Sequence, residues 1–398
     1  MLRKAIIFVL MLLYIYVLTF DIFLNQYFKF PAVFIGILLA LVFREPRSKT
    51  FIFSWELWFL FLANFFYYAI GQSELKPLVV NFSIFACCAF YFNFFVGQSR
   101  RRLNLSVMIF FSFLALSVLV MCADHLAPST IVLLREKLIG SQVVQSPSGI
   151  STNIFTFGYQ VAAFSTFVFL YTIFKRKHFV LVGMVFLICL VPIFYGMQRS
   201  ALIVFGINVV LSIIIYFRLK AIPILVGIGA CCFIFFSITS SYNTSTQYNI
   251  LNKAEQNAEM GENRAGLITE NIKIYSDYPF GLVFYNRKWS EVSQHNPTYQ
   301  GGLTSHNGYL MFFTYLGPIV GLFFLIAIYR RLILVFRTAI LNIRNIDFAL
   351  SASLCFAFLA LSMNSLFHNA WLINANGPTV FLFFCILQLN EIKLKQEP

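Results

Sequence analysis

Charge is scarce in this chain. Only 11% of its 398 residues are Asp, Glu, Lys or Arg, where a soluble protein of this size keeps about a quarter. With 60% hydrophobic residues and a mean hydropathy of +0.80, the scarcity excludes a water-solvated globular domain. A glycine-rich phosphate loop is also missing, and the basic connections between apolar runs are too short to hold a nucleotide site. Energy input from ATP is therefore not expected. No basic–aromatic motif accompanies the net charge of +14, so that charge does not call for nucleic acid. The eight cysteines (Cys87, Cys88, Cys122, Cys189, Cys231, Cys232, Cys355 and Cys385) lie in or at the ends of apolar runs. They are spaced neither as a disulfide framework nor as a metal site, and read as small lipid- or core-facing residues. No small-residue cleavage site follows Met1-Leu2-Arg3-Lys4, so the first apolar run is expected to be a retained helix. No repeat relates the two halves, which disfavours a transporter built by duplication.

What is abundant is apolar sequence in lengths that match a bilayer. Runs of roughly 17–25 residues cross the hydrocarbon core as helices. Such runs lie at about 5–23, 28–43, 51–70, 78–96, 105–123, 153–174, 179–197, 200–217, 221–239, 307–328, 348–367 and 370–389. Of the 29 basic residues, 19 fall at every second junction, among them Arg44, Arg47, Arg100 to Arg102, Lys175 to Lys177, Arg330, Arg331 and Lys393. Basic segments resist translocation, so this alternation predicts about twelve transmembrane helices with both termini in the cytoplasm. The expected fold is all-α and polytopic, one membrane domain over 1–398. Glu56, near the inner end of the third run, can snorkel to the cytoplasm and carries no assigned role.

Polarity concentrates on the outer side, in two loops. In 124–152, Ser129 or Thr130 can cap a short amphipathic helix lying on the membrane surface. The longer loop, 240–306, has a middle section from Glu262 to Tyr275 with apolar residues at 267, 268, 272 and 275. That spacing predicts a helix with one apolar stripe, stopped by Tyr278-Pro279-Phe280-Gly281, and puts Arg264 on its first turn.

Three side chains stand out at outer helix ends. Thr304 or Ser305 can cap the tenth helix and so place His306 in its first turn, where the helix dipole disfavours imidazolium. A neutral imidazole can take a proton from a sugar hydroxyl; a histidine can equally just sit at a headgroup interface. Arg199 lies at the only break, Gln198-Arg199-Ser200, in the apolar run 179–217, which predicts a tight hairpin with a guanidinium at its outer tip. Guanidinium grips phosphate oxygens through paired hydrogen bonds; it also serves as an ordinary interfacial anchor. Arg264 has the same chemistry, with Glu262 or Glu270 available to neutralise it in a surface pair. Arg287 and Lys288, beside Trp289, can add charge and a sugar-stacking face, or be solvated loop charges. Asn364 to Pro378 is unusually polar for the outer ends of two spans, as a cavity lining or a turn would be. No metal site or cofactor is expected: the outer carboxylates Glu255, Glu259, Asp277 and Glu291 share no helical register.

Taken together, Gln198-Arg199-Ser200-Ala201, then Asn263-Arg264-Ala265-Gly266 running to Tyr278-Pro279-Phe280-Gly281, then His306-Asn307 followed after nine residues by Gly317 and by Gly321, resemble three motifs of one family. It is the O-antigen polymerase and O-antigen ligase superfamily, membrane glycosyltransferases that use polyprenyl-diphosphate sugars. The match rests on order, spacing and shared outer sidedness over roughly residues 180–325; elsewhere only the span count agrees. It implies a large helical membrane glycosyltransferase (GT-C-like) architecture in a bacterial inner membrane, with its active site facing the periplasm. The implied partner is an undecaprenyl-diphosphate-linked oligosaccharide in membrane lipid, with a flippase and a chain-length regulator of the same pathway nearby. Arg199 and Arg264 would then hold the donor diphosphate and His306 would orient or deprotonate the acceptor, with Asn307, Arg287 and Lys288 in support. Ligases carry threonines soon after the second motif glycine. Here Gly317-Pro318-Ile319-Val320-Gly321 runs straight into Leu322-Phe323-Phe324, which points to the polymerase. The ligase, and a flippase of another class, are the competing expectations.

Overall fold

The computed structural model describes residues 2–23, 31–48, 50–72, 74–242, 248–253, 264–295, 307–368, 372 and 374–394. Among these it is all-helical, without a strand. The principal helices are α1 (Leu2–Thr19), α2 (Ile35–Val42), α3 (Ser54–Asn64), α4 (Leu75–Phe90), α5 (Arg100–Leu126), α6 (Pro128–Ile139), α7 (Ile154–Phe174), α8 (Phe179–Tyr195), α9 (Arg199–Phe217) and α10 (Ala221–Ser241). They continue as α11 (Arg264–Asp277), α12 (Gly308–Leu316), α13 (Pro318–Leu341), α14 (Ala349–Asn364) and α15 (Gly377–Leu394).

Eight helical stretches of the described residues are long and apolar enough to cross a membrane, and Ala32–Val42 and Phe179–Tyr195 are shorter apolar helices. This is the build of a helical membrane protein. One of the eight, Arg199–Ser241, has 43 residues. As a straight rod it would measure about 65 Å, twice a hydrocarbon core of about 30 Å. It is broken by a 3-10 turn at Arg218–Lys220, where Arg218 has a φ of 56°. The stretch therefore comprises the two packed helices α9 and α10.

The apolar run expected to cross at 307–328 is divided. Gly317, with a φ of 75°, ends α12 after nine residues, and Pro318 opens α13. A left-handed glycine closes a helix and a proline starts the next one without losing a hydrogen bond. The long apolar helix here is α13, and α12 is a separate short element.

By contact density the chain divides into two compact units, where the sequence alone suggests a single membrane domain. The first comprises Met1–Phe110, Asn263–Val335 and Ser365–Pro398; the second comprises Phe111–Glu262 and Phe336–Asn364. In the first unit α15 is almost wholly buried against α1 and α4. Phe110 and Phe381 stack there at 4.2 Å, and the buried Tyr14 and Tyr91 rings lie 4.6 Å apart. Gly377 opens α15 against the backbone of Leu18, where a Cβ would collide, and its N–H donates to Asp21 Oδ1 at 2.6 Å. A carboxylate there complements the positive end of the helix dipole.

In the second unit α7 is the buried centre, packed on α8, α9 and α14. Small residues make this possible. Ala162, Ala163 and Ser165 on α7, with Ala352, Ser353 and Ala357 on α14, are buried to within 1% of completely. Without side-chain bulk, helix backbones approach closely in a medium where lipid is as apolar as leucine.

The second unit also corrects the reading of the 124–152 loop. Helix α6 starts at Pro128 with Ala127 at its cap, so neither Ser129 nor Thr130 caps it. Nor does it simply float on a surface: Arg135 is 0% exposed. Its guanidinium meets Asp124 at 3.1 Å and donates to Ser146 Oγ at 2.7 Å, Gln145 O at 3.2 Å and Ser151 O at 3.1 Å, and also to Ser148 Oγ. Burial pulls the Arg135 pKa down from its ordinary value, and the Asp124 carboxylate opposes that shift. The loop after α6 is wrapped around one cation.

Candidate functional site

Within the first unit, the arginine-headed and histidine-headed segments are packed together. Helix α11 runs from Arg264 to Asp277, close to the span its pattern predicts, with Arg264 as its first residue. Its buried face is not the expected one. Leu267, Glu270, Asn271 and Ile274 are buried, whereas Ile268 is 37% and Ile272 is 51% exposed. The stripe thus follows i, i+3, i+4, i+7, and two of its four members are polar. Scoring apolar residues alone hides such a face.

The polar members make specific contacts. Asn271, 0% exposed, places its amide nitrogen 2.9 Å from Met311 Sδ on α12. Its carbonyl oxygen accepts from Thr314 Oγ1, which also lies 2.9 Å from Leu310 O. Glu270 Oε1 lies 2.8 Å from Nε2 of the exposed His295.

A second junction joins the segments through backbone. Gly281 has a φ of 100° and Gly317 a φ of 75°. A Cβ on Gly281 would strike Gly317 N, and one on Gly317 would strike Phe280 O. Both positions need glycine, for conformation and for space. After Gly281, the short turn Leu282–Tyr285 buries Leu282 and Val283 and packs on the π-helical stretch Phe65–Gln72. Two of the motif segments singled out by the sequence therefore meet at their glycines.

Helix register relates the heads of the two segments. Arg264 precedes Asn271 by seven residues, and Asn307 precedes Thr314 by seven. At about 1.5 Å per residue, both helix starts lie about 10 Å from the Asn271–Thr314 contact. The second junction, Gly281 with Gly317, is downstream on both segments, the order expected of helices that point the same way.

The start of α12 differs from expectation. Its cap is Asn307, whose side chain accepts from Leu310 N at 3.0 Å, rather than Thr304 or Ser305. The backbone is extended at Asn307, and Gly308 N donates to both Ser365 O and His368 O at 2.8 Å. That fork draws the chain away from helix before residue 308, so His306 precedes the cap. The His306 side chain, with Thr304 and Ser305, lies outside the described residues. Part of the polar segment after Asn364 is thus structural: Ser365 and the buried His368 hold the mouth of α12.

Arg287 is exposed and Lys288 is half-buried. Lys288 precedes a one-turn helix, Trp289–Val292, and its N–H donates to Glu291 Oε2 at 3.1 Å. Trp289 is only 3% exposed, so it offers no sugar-stacking face as expected from its flanking charges. Its amphipathic ring fills the core instead.

Arg199 belongs to the second unit. It is the first residue of α9, directly after the turn Gly196-Met197-Gln198, and is half-buried. Gln198 beneath it is buried and donates to Gly196 O at 2.6 Å and Ile154 O at 3.1 Å. Gly158 leaves room for Gln198, and Asn364 Nδ2 lies at the edge of the same space. Asn364 is 0% exposed, and neither end of its amide finds a partner among the described residues. Buried amides normally satisfy both ends, which sets this one apart among the described residues.

Among the described residues no three His, Cys, Asp or Glu side chains cluster as metal ligands. Replacing Asn271 by Ala is expected to lower the melting temperature, through about 0.5–1.5 kcal/mol of lost hydrogen bonding, because its bonds to Thr314 and Met311 are lost while Thr314 keeps Leu310 O as an acceptor. Asn271→Asp retains an acceptor but buries a carboxylate beside Glu270 and should cost more, which thermal unfolding of both purified variants checks. No family model matches the sequence, and searches of curated proteins and of solved structures return no match either.

Proposed function

We propose that this protein polymerises lipid-linked oligosaccharide repeat units, of an O-antigen or a similar surface polysaccharide, at the outer face of a bacterial inner membrane. The reading is carried by one observation: the segment that begins at Arg264 and the segment that follows His306 are joined twice, at Asn271–Thr314 and at Gly281–Gly317. A guanidinium and an imidazole at the heads of two such helices could act on one headgroup.

The chemistry is glycosyl transfer. An acceptor hydroxyl on an incoming repeat unit attacks the anomeric carbon of the growing glycan. The new C–O bond forms as the bond to the undecaprenyl diphosphate oxygen breaks, and His306 takes the hydroxyl proton. Arg264 stabilises the negative charge gathering on the leaving diphosphate, an electrostatic task that grows toward the transition state; for Arg199 the same task is what the family resemblance implies. Asn307 caps α12 beside the histidine, and Arg287 and Lys288 raise the local positive potential.

Complementation of a strain lacking its polymerase, with His306→Ala, Arg199→Ala and Arg264→Ala scored by polysaccharide ladder, tests the proposal. Loss of a transition-state donor costs about 10²–10³ in rate, enough to reduce the ladder to a single-repeat band at normal protein level. Full ladders from all three variants would refute it. Polymer stranded on its carrier would assign the chain as a ligase, and oligosaccharide held on the cytoplasmic leaflet as a flippase.

A further inference from the structure

At the end of the first unit that carries Arg330, Arg331 and Glu391 there is a cleft of about 280 Å³, lined by Ile52, Trp55, Glu56, Arg330, Arg331 and Leu334. Its walls are the first turn of α3 and the middle of α13. Glu56 is 2% exposed although it is charged. One of its oxygens, Oε1, accepts from Arg331 Nη1 at 3.1 Å. The other, Oε2, is buried and has no hydrogen-bond partner among the described residues.

Arg331 has little left to offer a ligand. Its Nη1 also donates to Ile52 O at 3.0 Å, its Nη2 binds Glu391 Oε1 at 2.7 Å, and its guanidinium sits 5.6 Å over the Phe53 ring. That leaves two charged residues of the lining to consider: Arg330, exposed, and Glu56, whose buried Oε2 lacks a hydrogen-bond partner among the described residues. With Arg331 and Glu391 included, the four formal charges sum to zero. Such a site has no net pull on an anion or a cation, but it is matched to a group carrying both. Trp55, 53% exposed, donates its indole N–H to Ala327 O at 3.3 Å and presents its ring at the cleft edge. Tryptophan is favoured at the level of lipid headgroups. The basic residues at this end mark it as the cytoplasmic side.

We infer that this cleft is a binding site for an aminophospholipid headgroup, with the primary ammonium on Glu56 Oε2 and the phosphodiester on Arg330. The ammonium brings the donor that the buried oxygen lacks, and a charged hydrogen bond of this kind is among the stronger ones. A trimethylammonium headgroup has no N–H to donate, and a glycerol headgroup has no positive charge. The site therefore discriminates between lipids that share the same phosphate and acyl chains. The inference is independent of the glycosyl-transfer reading.

The test is native mass spectrometry of the purified full-length protein, titrated with phosphatidylethanolamine, phosphatidylcholine and phosphatidylglycerol of identical acyl chains. One ethanolamine lipid should be retained about tenfold more strongly than choline or glycerol lipid. Glu56→Gln should remove that preference while keeping an acceptor for Arg331. Arg330→Gln should weaken ethanolamine and choline lipids alike and leave their ratio in place. Equal retention of ethanolamine and choline lipids by the unmodified protein overturns the inference, with no variant needed. A preference that survives Glu56→Gln overturns it as well.

Discussion

Arg135→Met is expected to destabilise the protein by about 3–5 kcal/mol, the loss that follows when one partner of a buried ion pair is removed. The reason is the Asp124 carboxylate, 1% exposed, which would stay in the interior without its cation. Ser146, Ser148 and the carbonyls of Gln145 and Ser151 would lose their donor in the same change. The double variant Arg135→Met with Asp124→Leu should regain the part of the loss due to the stranded carboxylate, while the four loop acceptors stay without their donor. Thermal unfolding of the purified proteins in detergent distinguishes this from a surface role. An arginine that only touched headgroups would give a loss below about 1 kcal/mol in the single variant, and no recovery in the double.

Gly317→Ala carries the second large effect. Gly317, at φ 75° and ψ 169°, sits in a region that only glycine adopts readily, where an L-residue costs about 1–3 kcal/mol, and forcing a methyl group into packed space adds about 1–3 kcal/mol. The obstacle here is the Phe280 carbonyl, which cannot swing aside as a side chain can. Gly281→Ala meets the backbone of Gly317 and Leu316 and should behave in the same way. Gly321→Ala faces only the Phe313 and Phe312 rings, and Gly227→Ala faces open space. The expected order of melting temperatures is therefore Gly227→Ala highest, Gly321→Ala next, and Gly281→Ala and Gly317→Ala lowest. If Gly317→Ala unfolds with Gly227→Ala, the two motif segments do not depend on their glycine contact. The same two low-melting variants should also lose the polysaccharide ladder, since their change separates α11 from α12.

Much of the helical framework was legible from composition. Period and punctuation placed the C-terminal end of α11 within two residues, because an amphipathic run stopped by Tyr278-Pro279-Phe280-Gly281 is a local signal. Hydropathy located the long helices for the same reason: burying backbone in lipid requires a helix wherever the side chains are apolar. One miss was local: residues 307–328 read as a single apolar run, yet Gly317 ends one helix and Pro318 opens the next. Elsewhere the reading went astray where a distant partner decides. The cap fell to Asn307 because Ser365 and His368 claim the Gly308 N–H. The buried face of α11 includes Glu270 and Asn271 because Thr314, Met311 and His295 are there to receive them.

Arg135 and Trp289 follow the same rule. Each lies in a segment whose local pattern suggests a surface, and each is buried; for Arg135 the loop of Gln145 to Ser151 supplies the partners. By itself, the sequence determined that this chain is a stack of apolar helices with its polar residues gathered in a few segments, since those properties depend on near neighbours and on the solvent. Which polar groups face one another was decided only by the tertiary structure, because a buried hydrogen bond or a glycine contact is a relation between two remote positions and neither carries it alone.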